Sequence, residues 1–255
     1  MLFDSHTHLD DSKFDGDREE VIEKIKNSGV TRLVNIGCNI PTSEFSVKLA
    51  ERYDFIYATV GFHPCDTGDM TEDALQKIKE LAMHKKVVAI GEIGLDYHWD
   101  NVPRDVQKHW FKRQLDLAEE LDMPVTIHNR DAHEDTYNIL KNSNAKGIIH
   151  CCSCSKEMAL EFVKLGYYIS FAGPITYKNG VKNAEVAKAV PMDRLLIETD
   201  APYLAPEGFR GKRNDSSLVR ITCEKLAEIK GVTFEEMAEQ TFKNAKKVYR
   251  LDNNL

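Results

Sequence analysis

The amino-acid sequence predicts an α/β protein, a (β/α)8 TIM barrel formed as a single domain over residues 1–255, and three observations carry that expectation. The length of 255 residues suits one such barrel. Short apolar runs recur about every 30 residues, each followed by an amphipathic stretch, as βαβ units in a parallel sheet require. No glycine-rich phosphate loop follows the first run, which argues against an open doubly wound sheet.

Eight runs read as strands: Leu2–His6, Leu33–Gly37, Ile56–Gly61, Val87–Glu92, Val125–His128, Ile148–His150, Tyr167–Phe171 and Leu195–Asp200. Helices are expected near 17–28, 43–52, 72–83, 104–122, 133–141, 156–165 and 183–189, then near 216–230 and 234–250. The last carries Phe234, Met237, Ala238, Thr241, Phe242, Ala245, Val248 and Tyr249 as a helical stripe. The stretch 183–189 is the weakest helix, because Ala184, Val186, Ala187 and Ala189 give little periodic contrast.

Composition narrows the function classes. Lys plus Arg number 34 against 41 Asp plus Glu, a net charge of −7, the wrong sign for a broad basic nucleic-acid face. A polyanionic substrate must then be held by a few local groups or by bound cations. No apolar run approaches the roughly 18 residues of a membrane span, and no membrane partner is expected. The start, MLFDSHTHLDD, lacks the basic and apolar segments of a signal peptide. Six Cys in a chain this long do not make a disulfide scaffold, so a reducing, cytoplasmic setting is expected. The oligomeric state is not set by the sequence, with a monomer favoured.

The chemistry collects where the strands end. His6 and His8 stand at i and i+2, so both imidazoles can converge on one cation. The other runs end in Gly91-Glu92, Ile127-His128, Ile149-His150 and Glu198-Thr199-Asp200. Five of the eight strands thus deliver a His, Asp or Glu at the face where barrel active sites form. A polar group there costs stability unless it finds a partner, and a shared metal centre supplies one. Four imidazoles and two carboxylates exceed what one tetrahedral site needs, so two divalent ions are expected. Glu92, between the two histidine pairs in strand order, is the candidate bridge. Asp200 is the candidate acceptor of a proton from the attacking water.

The segments His6-Thr7-His8, Gly61-Phe62-His63-Pro64, Gly91-Glu92-Ile93-Gly94-Leu95-Asp96-Tyr97, Ile127-His128-Asn129-Arg130-Asp131-Ala132, His150-Cys151 and Glu198-Thr199-Asp200-Ala201-Pro202-Tyr203-Leu204 resemble the TatD-type metal-dependent deoxyribonucleases, within the amidohydrolase-like barrels. The resemblance covers nearly the whole chain. It implies hydrolysis of DNA phosphodiesters (RNA being a further possibility), trimming from an end, with two divalent cations. It assigns metal contacts to His6, His8, Glu92, His128, His150 and Asp200, and places His63 near the substrate phosphate. It suggests magnesium-supported activity, whereas imidazole-rich ligands suit zinc, manganese or iron. Two departures bear on substrate preference. Cys151-Cys152-Ser153-Cys154 follows His150 where the family usually has an aromatic residue and glycine, and Asp215-Ser216-Ser217 replaces the usual acidic-proline continuation after Arg210–Asn214.

The remaining residues weigh less. Cys151, Cys152 and Cys154 lack paired CxxC units and read as inert thiols, and Cys38, Cys65 and Cys223 as isolated ones. His84, His98, His109 and His133 are expected to be solvated or hydrogen-bonded. Arg210, Lys212 and Arg213 form the clearest basic cluster, placed to hold a phosphate backbone. Arg130 either clamps a phosphate or anchors a carboxylate such as Asp131, and Tyr97 and Trp99 either stack on a base or pack a loop. A lactonase, phosphotriesterase or ester/amide hydrolase, including aminoacyl-tRNA deacylation, is the alternative enzyme. Many such barrels bridge their metals through a carbamylated lysine; Lys85 and Lys86 precede the fourth run here, and Glu92 ends it. No Ser–His–Asp grouping or nucleophile elbow supports acyl-enzyme chemistry.

Overall fold

A computed structural model describes residues 1–99 and 101–251. The eight strands are β1 Leu2–Thr7, β2 Val30–Ile36, β3 Ile56–Val60, β4 Val87–Asp96, β5 Val125–Arg130, β6 Gly147–Ile149, β7 Tyr168–Phe171 and β8 Leu195–Ile197. They form one parallel sheet in sequential order. It closes between its ends, where Thr7 bridges Ala201 in parallel, the His8 N–H donates to Ala201 O at 2.7 Å and the Asp200 N–H to His6 O at 2.9 Å. The expected (β/α)8 barrel is therefore the observed fold.

The helices are α1 Arg18–Lys26, α2 Ile40–Arg52, α3 Glu72–Ala82, α4 Arg104–Glu120, α5 His133–Leu140, α6 Lys156–Lys164, α7 Val181–Ala189, α8 Val219–Lys230 and α9 Phe234–Val248. Two starts differ from expectation. α2 begins before residue 43 because the Asn39 side chain caps the Thr42 N–H and Pro41 falls in the first turn, where its missing donor costs nothing. The expected helix at 216–230 is a 3-10 turn, Ser216–Leu218, capped by Asp215 and running into α8.

Strand alternation divides the apolar residues. One set, with Leu33, Ile56, Val125, Ile169 and Leu195, packs outward against the helices. The other, with Phe3, Val34, Ile148, Tyr168 and Leu196, meets Val248 and Tyr249 near the end of α9. Phe3 packs edge-on against Phe242 at 5.7 Å between ring centroids, and the Tyr249 hydroxyl donates to Ser5 O at 2.9 Å. That end of the barrel is filled with hydrocarbon, so polar inward positions collect at the C-terminal mouth.

Asp4 ties the closing seam together. Its buried carboxylate accepts the Thr199 N–H at 3.0 Å, the Thr199 hydroxyl at 2.6 Å and the His6 N–H at 3.2 Å. Burial, only partly offset by the Ser216 and Thr199 hydroxyls, pushes its pKa up to about 7. The folded chain thus holds this proton more tightly than the unfolded chain. The contribution is full below about pH 4 and is lost as pH rises through 7. Asp4→Asn keeps the acceptor for both amides, so its melting temperature should decline less than the parent's across that window. Parallel melting profiles for the two proteins would show that Asp4 does not carry this dependence.

Candidate metal centre

All six expected ligands meet at the mouth. His6 lies on β1 and His8 one residue beyond it, with their Nε2 atoms 3.1 Å apart. Glu92 is 3% exposed, within β4 rather than at its end. Its Oε2 lies 3.4 Å from His6 Nε2 and 3.8 Å from His8 Nε2. Its Oε1 lies 2.7 Å from His128 Nδ1 and 2.8 Å from His150 Nε2. Asp200 Oδ1 stands 3.5 Å from His6 Nε2 and 3.4 Å from His8 Nε2.

Local backbone explains these positions. Gly94 pairs with His128 and has φ of +144°; a Cβ there would lie 2.0 Å from His128 O, so only glycine lets β4 approach β5 this closely. β8 ends at Ile197, which corrects the expected strand to Asp200. Asp200 instead sits in a loop at φ +55°, a left-handed conformation that costs roughly 1–2 kcal/mol for a residue other than glycine. The bonds from Asp200 N–H to His6 and from Thr199 to Asp4 hold it there.

Two carboxylates outside the expected set orient the imidazoles. Asp96 Oδ2 is 2.8 Å from His128 Nε2, and its Oδ1 accepts the His98 and Trp99 N–H groups. Glu198 Oε1 is 3.3 Å from His150 Nδ1 and accepts the Cys151 N–H at 2.8 Å; its Oε2 accepts the Ser170 hydroxyl at 2.6 Å. A carboxylate on the far nitrogen fixes the tautomer that leaves the near nitrogen free to ligate. Glu198 was legible as the i−2 neighbour of Asp200, whereas only the distant pairing with His128 reveals Asp96. Cys38 is not the isolated thiol expected, because its Sγ lies 3.9 Å from His8 Nδ1 and 3.8 Å from Glu92 Oε2. Cys65 likewise joins His63 and Asp96 in a cluster of donor atoms within 4.8 Å of one another.

The donor set fits a divalent cation. Burial pushes the Glu92 carboxyl up, yet the charges on His150 and His6 and the bonds from His128 and His150 hold it well below the usual range. Burial pulls His150 down, but Glu92 and Glu198 raise it well above an ordinary histidine; Asp96 and Glu92 likewise raise His128 against burial. Nitrogens and carboxylate oxygens this close require protons or a cation between them. His6 Nδ1 is buried with no hydrogen-bond partner, so the ring's interactions come from its Nε2 side, toward Glu92 and Asp200.

His63 joins the same centre. Its Nε2 is 3.9 Å from Glu92 Oε1 and its Nδ1 accepts the Cys65 N–H at 3.2 Å. Burial, reinforced by the charge on His128, lowers its pKa to about 3, so it is a neutral ring whose Nε2 carries the proton. The basic residues are less uniform. Arg213 makes a fork to both Asp17 carboxylate oxygens and donates to Lys13 O. Arg210 and Lys212 are exposed, Arg210 with Glu207 at 4.0 Å and its guanidinium 4.3 Å from the Tyr177 ring centroid. The Arg130 guanidinium lies 5.7 Å from the Trp99 ring, and Asp131 pairs with His98 instead. His84 pairs with Glu51, and His133 bonds Asn129. Cys152 and Cys154 are buried with their sulfurs 3.3 Å apart.

A parallel barrel with histidines and carboxylates converging at its C-terminal mouth defines a metal-dependent hydrolase of the amidohydrolase-like class. The chain belongs to the TatD-related DNase family, whose model matches residues 3–250. It is 52% identical to an uncharacterised metal-dependent hydrolase of Bacillus subtilis, YabD, over 99% of this chain and 100% of that protein. It is 34% identical to the 3'-5' ssDNA/RNA exonuclease TatD of Pantoea ananatis, covering 98% and 100% of the two chains. Among solved structures, the TatD homologue YJJV of Escherichia coli superposes with a TM-score of 0.93 at 31% identity, over 98% of each chain.

Two outcomes test the centre. Asp96→Asn places an amide opposite His128 Nε2 and should weaken divalent-metal affinity by about 10–100-fold, with the circular dichroism spectrum unchanged. Because His128 and His150 hold protons more tightly than an ordinary histidine, metal must displace them, so affinity should fall as pH drops. Titration calorimetry in buffers of different ionisation heat measures those protons; release of none would exclude these imidazoles as ligands.

Proposed function

We propose that the protein is a deoxyribonuclease of exonuclease type, hydrolysing DNA phosphodiesters with two divalent cations in a single barrel domain in the cytoplasm. The observation that carries this reading is the division of Glu92: one oxygen faces His128 and His150, the other faces His6 and His8. His6, His8, Glu92 and Asp200 would hold one ion, and Glu92, His128 and His150 the other. When bound, such a pair polarises a phosphoryl oxygen and acidifies water. The family and the exonuclease activity of the Pantoea relative support a nucleic-acid substrate.

The chain's own residues supply the rest. Asp200 is held ionised, its burial outweighed by the bond to His8 and the charges of His6 and His150, so its carboxylate is free to take a proton from water. His63, neutral and protonated at Nε2, offers a donor to a phosphate oxygen. Arg210 and Lys212, both exposed, would hold the backbone, while the charge of Arg213 is matched by Asp17. Lys86 cannot take part, because its Nζ donates to Asp54 O at 2.7 Å before β3, at the other end of the barrel.

Glu92→Ala or Asp200→Asn should abolish release of nucleotides from labelled DNA supplied with magnesium, manganese or zinc, without loss of fold. Near-parental cleavage by either variant would refute the assignment. Lactones and aminoacyl esters, run beside the DNA, separate this reading from its alternative. Replacing Arg210 and Lys212 together by Ala should raise KM and lower the log–log salt slope on single strands by about 1.4; an unchanged slope would remove both residues from the phosphate path.

A further inference from the structure

Among the described residues the exposed large aromatic side chains are Trp99, Tyr203 and Phe209, at 56%, 46% and 37% exposure. All three follow the C-terminal ends of β4 and β8, on the face that holds the metal cluster. In a closed barrel of eight sequential strands, β4 and β8 stand on opposite sides. Trp99 and Tyr203 therefore rise from opposite walls, with the cluster between them.

Each ring has a cation against it in a chain of net charge −7. The Arg130 guanidinium lies 5.7 Å from the Trp99 ring and Lys13 Nζ lies 4.1 Å from the Tyr203 ring centroid. Each is also tied to the cluster. The Trp99 backbone N–H donates to Asp96, whose other oxygen faces His128. The Tyr203 ring packs edge-on to His8 at 6.4 Å, and its hydroxyl donates to Asp11 at 2.5 Å. Exposed rings beside cations suit an unpaired nucleotide, since its base stacks while its phosphate meets the charge.

We propose that Trp99 with Arg130, and Tyr203 with Lys13, form two base-stacking subsites, one on each side of the phosphodiester that is cut. The inference rests on the phosphodiesterase reading and on the single-strand activity of the Pantoea relative, and adds that these rings hold the unpaired bases that flank the cut. A base inside a duplex has no face free for a ring, so duplex must open before it is used. Stacking reads no base edge, so cleavage is expected to be insensitive to sequence.

The test uses the metal-loaded full chain and single-stranded oligonucleotides carrying one abasic residue on either side of the bond cut. In the parent, each lesion should raise KM on the order of tenfold. In Trp99→Ala one of the two lesions should cease to matter, and in Tyr203→Ala the other, because the partner of the missing base is already gone. Trp99→Phe should restore sensitivity. A parent indifferent to both lesions, lesion effects that persist in both variants, or blunt duplex cut as readily as single strands would overturn the subsites while leaving the phosphodiesterase standing. A parent that cuts no strand at all, intact or abasic, would overturn both.

Discussion

The Glu92 carboxylate, 3% exposed and ringed by the nitrogens of His6, His8, His128 and His150, sets the terms for the whole mouth of the barrel. A buried carboxylate is tolerated only where positive charge and hydrogen bonds replace water. Imidazoles provide that charge when protonated, and they release the same space to a cation when they lose their protons. The site is thus balanced between two ways of neutralising one carboxylate. Asp96 and Glu198 belong to the same balance, because each adds a negative charge behind an imidazole and makes it both a better proton holder and a better ligand.

Such a balance demands positional accuracy, which the barrel supplies by separating its tasks. Hydrocarbon fills the inner end against α9 and the outer shell against the helices, so most of the buried apolar surface lies away from the mouth. Ligands then come from backbone that the sheet has already fixed: β1, β4 and β5, and the residue just past β6. Asp200 is the exception, a loop residue in a left-handed conformation. Its place is secured by the bonds that close the barrel, Asp200 N–H to His6 and Thr199 to Asp4. The seam that completes the sheet also brings Asp200 to the histidine cluster.

Much of this was legible in the sequence because the barrel repeats a simple rule. An apolar run that ends in His, Glu or Asp marks a strand pointing its last residues at the mouth, and six such residues identified six members of the cluster. Strand ends were less legible. β6 and β8 have three paired residues each, since His150 and Asp200 leave the ladder to reach the centre. Contacts between residues remote in sequence left no local mark at all. Asp96 reads as the end of a glycine-containing strand until β5 is laid beside it, and Cys38 as an ordinary thiol until β1 and β4 flank it. Arg213 reads as a free cation, yet its carboxylate partner Asp17 lies 196 positions away.

That lost cation sharpens the electrostatics of substrate capture. Asp96, Glu198, Glu92 and Asp200 crowd the mouth of a chain whose net charge is already −7, so phosphate meets carboxylates balanced only by imidazole protons or by divalent ions. Arg213 is committed to Asp17, which leaves Arg210 and Lys212 as the exposed cations of that loop to oppose them. Divalent ions would add positive charge where a phosphodiester meets these carboxylates, so metal loading would favour binding as well as chemistry. Aromatic faces complement such a site, because stacking holds a nucleotide without further positive charge. Affinity divided between ions at the phosphate and rings at the bases favours strands that bring both to the mouth at once.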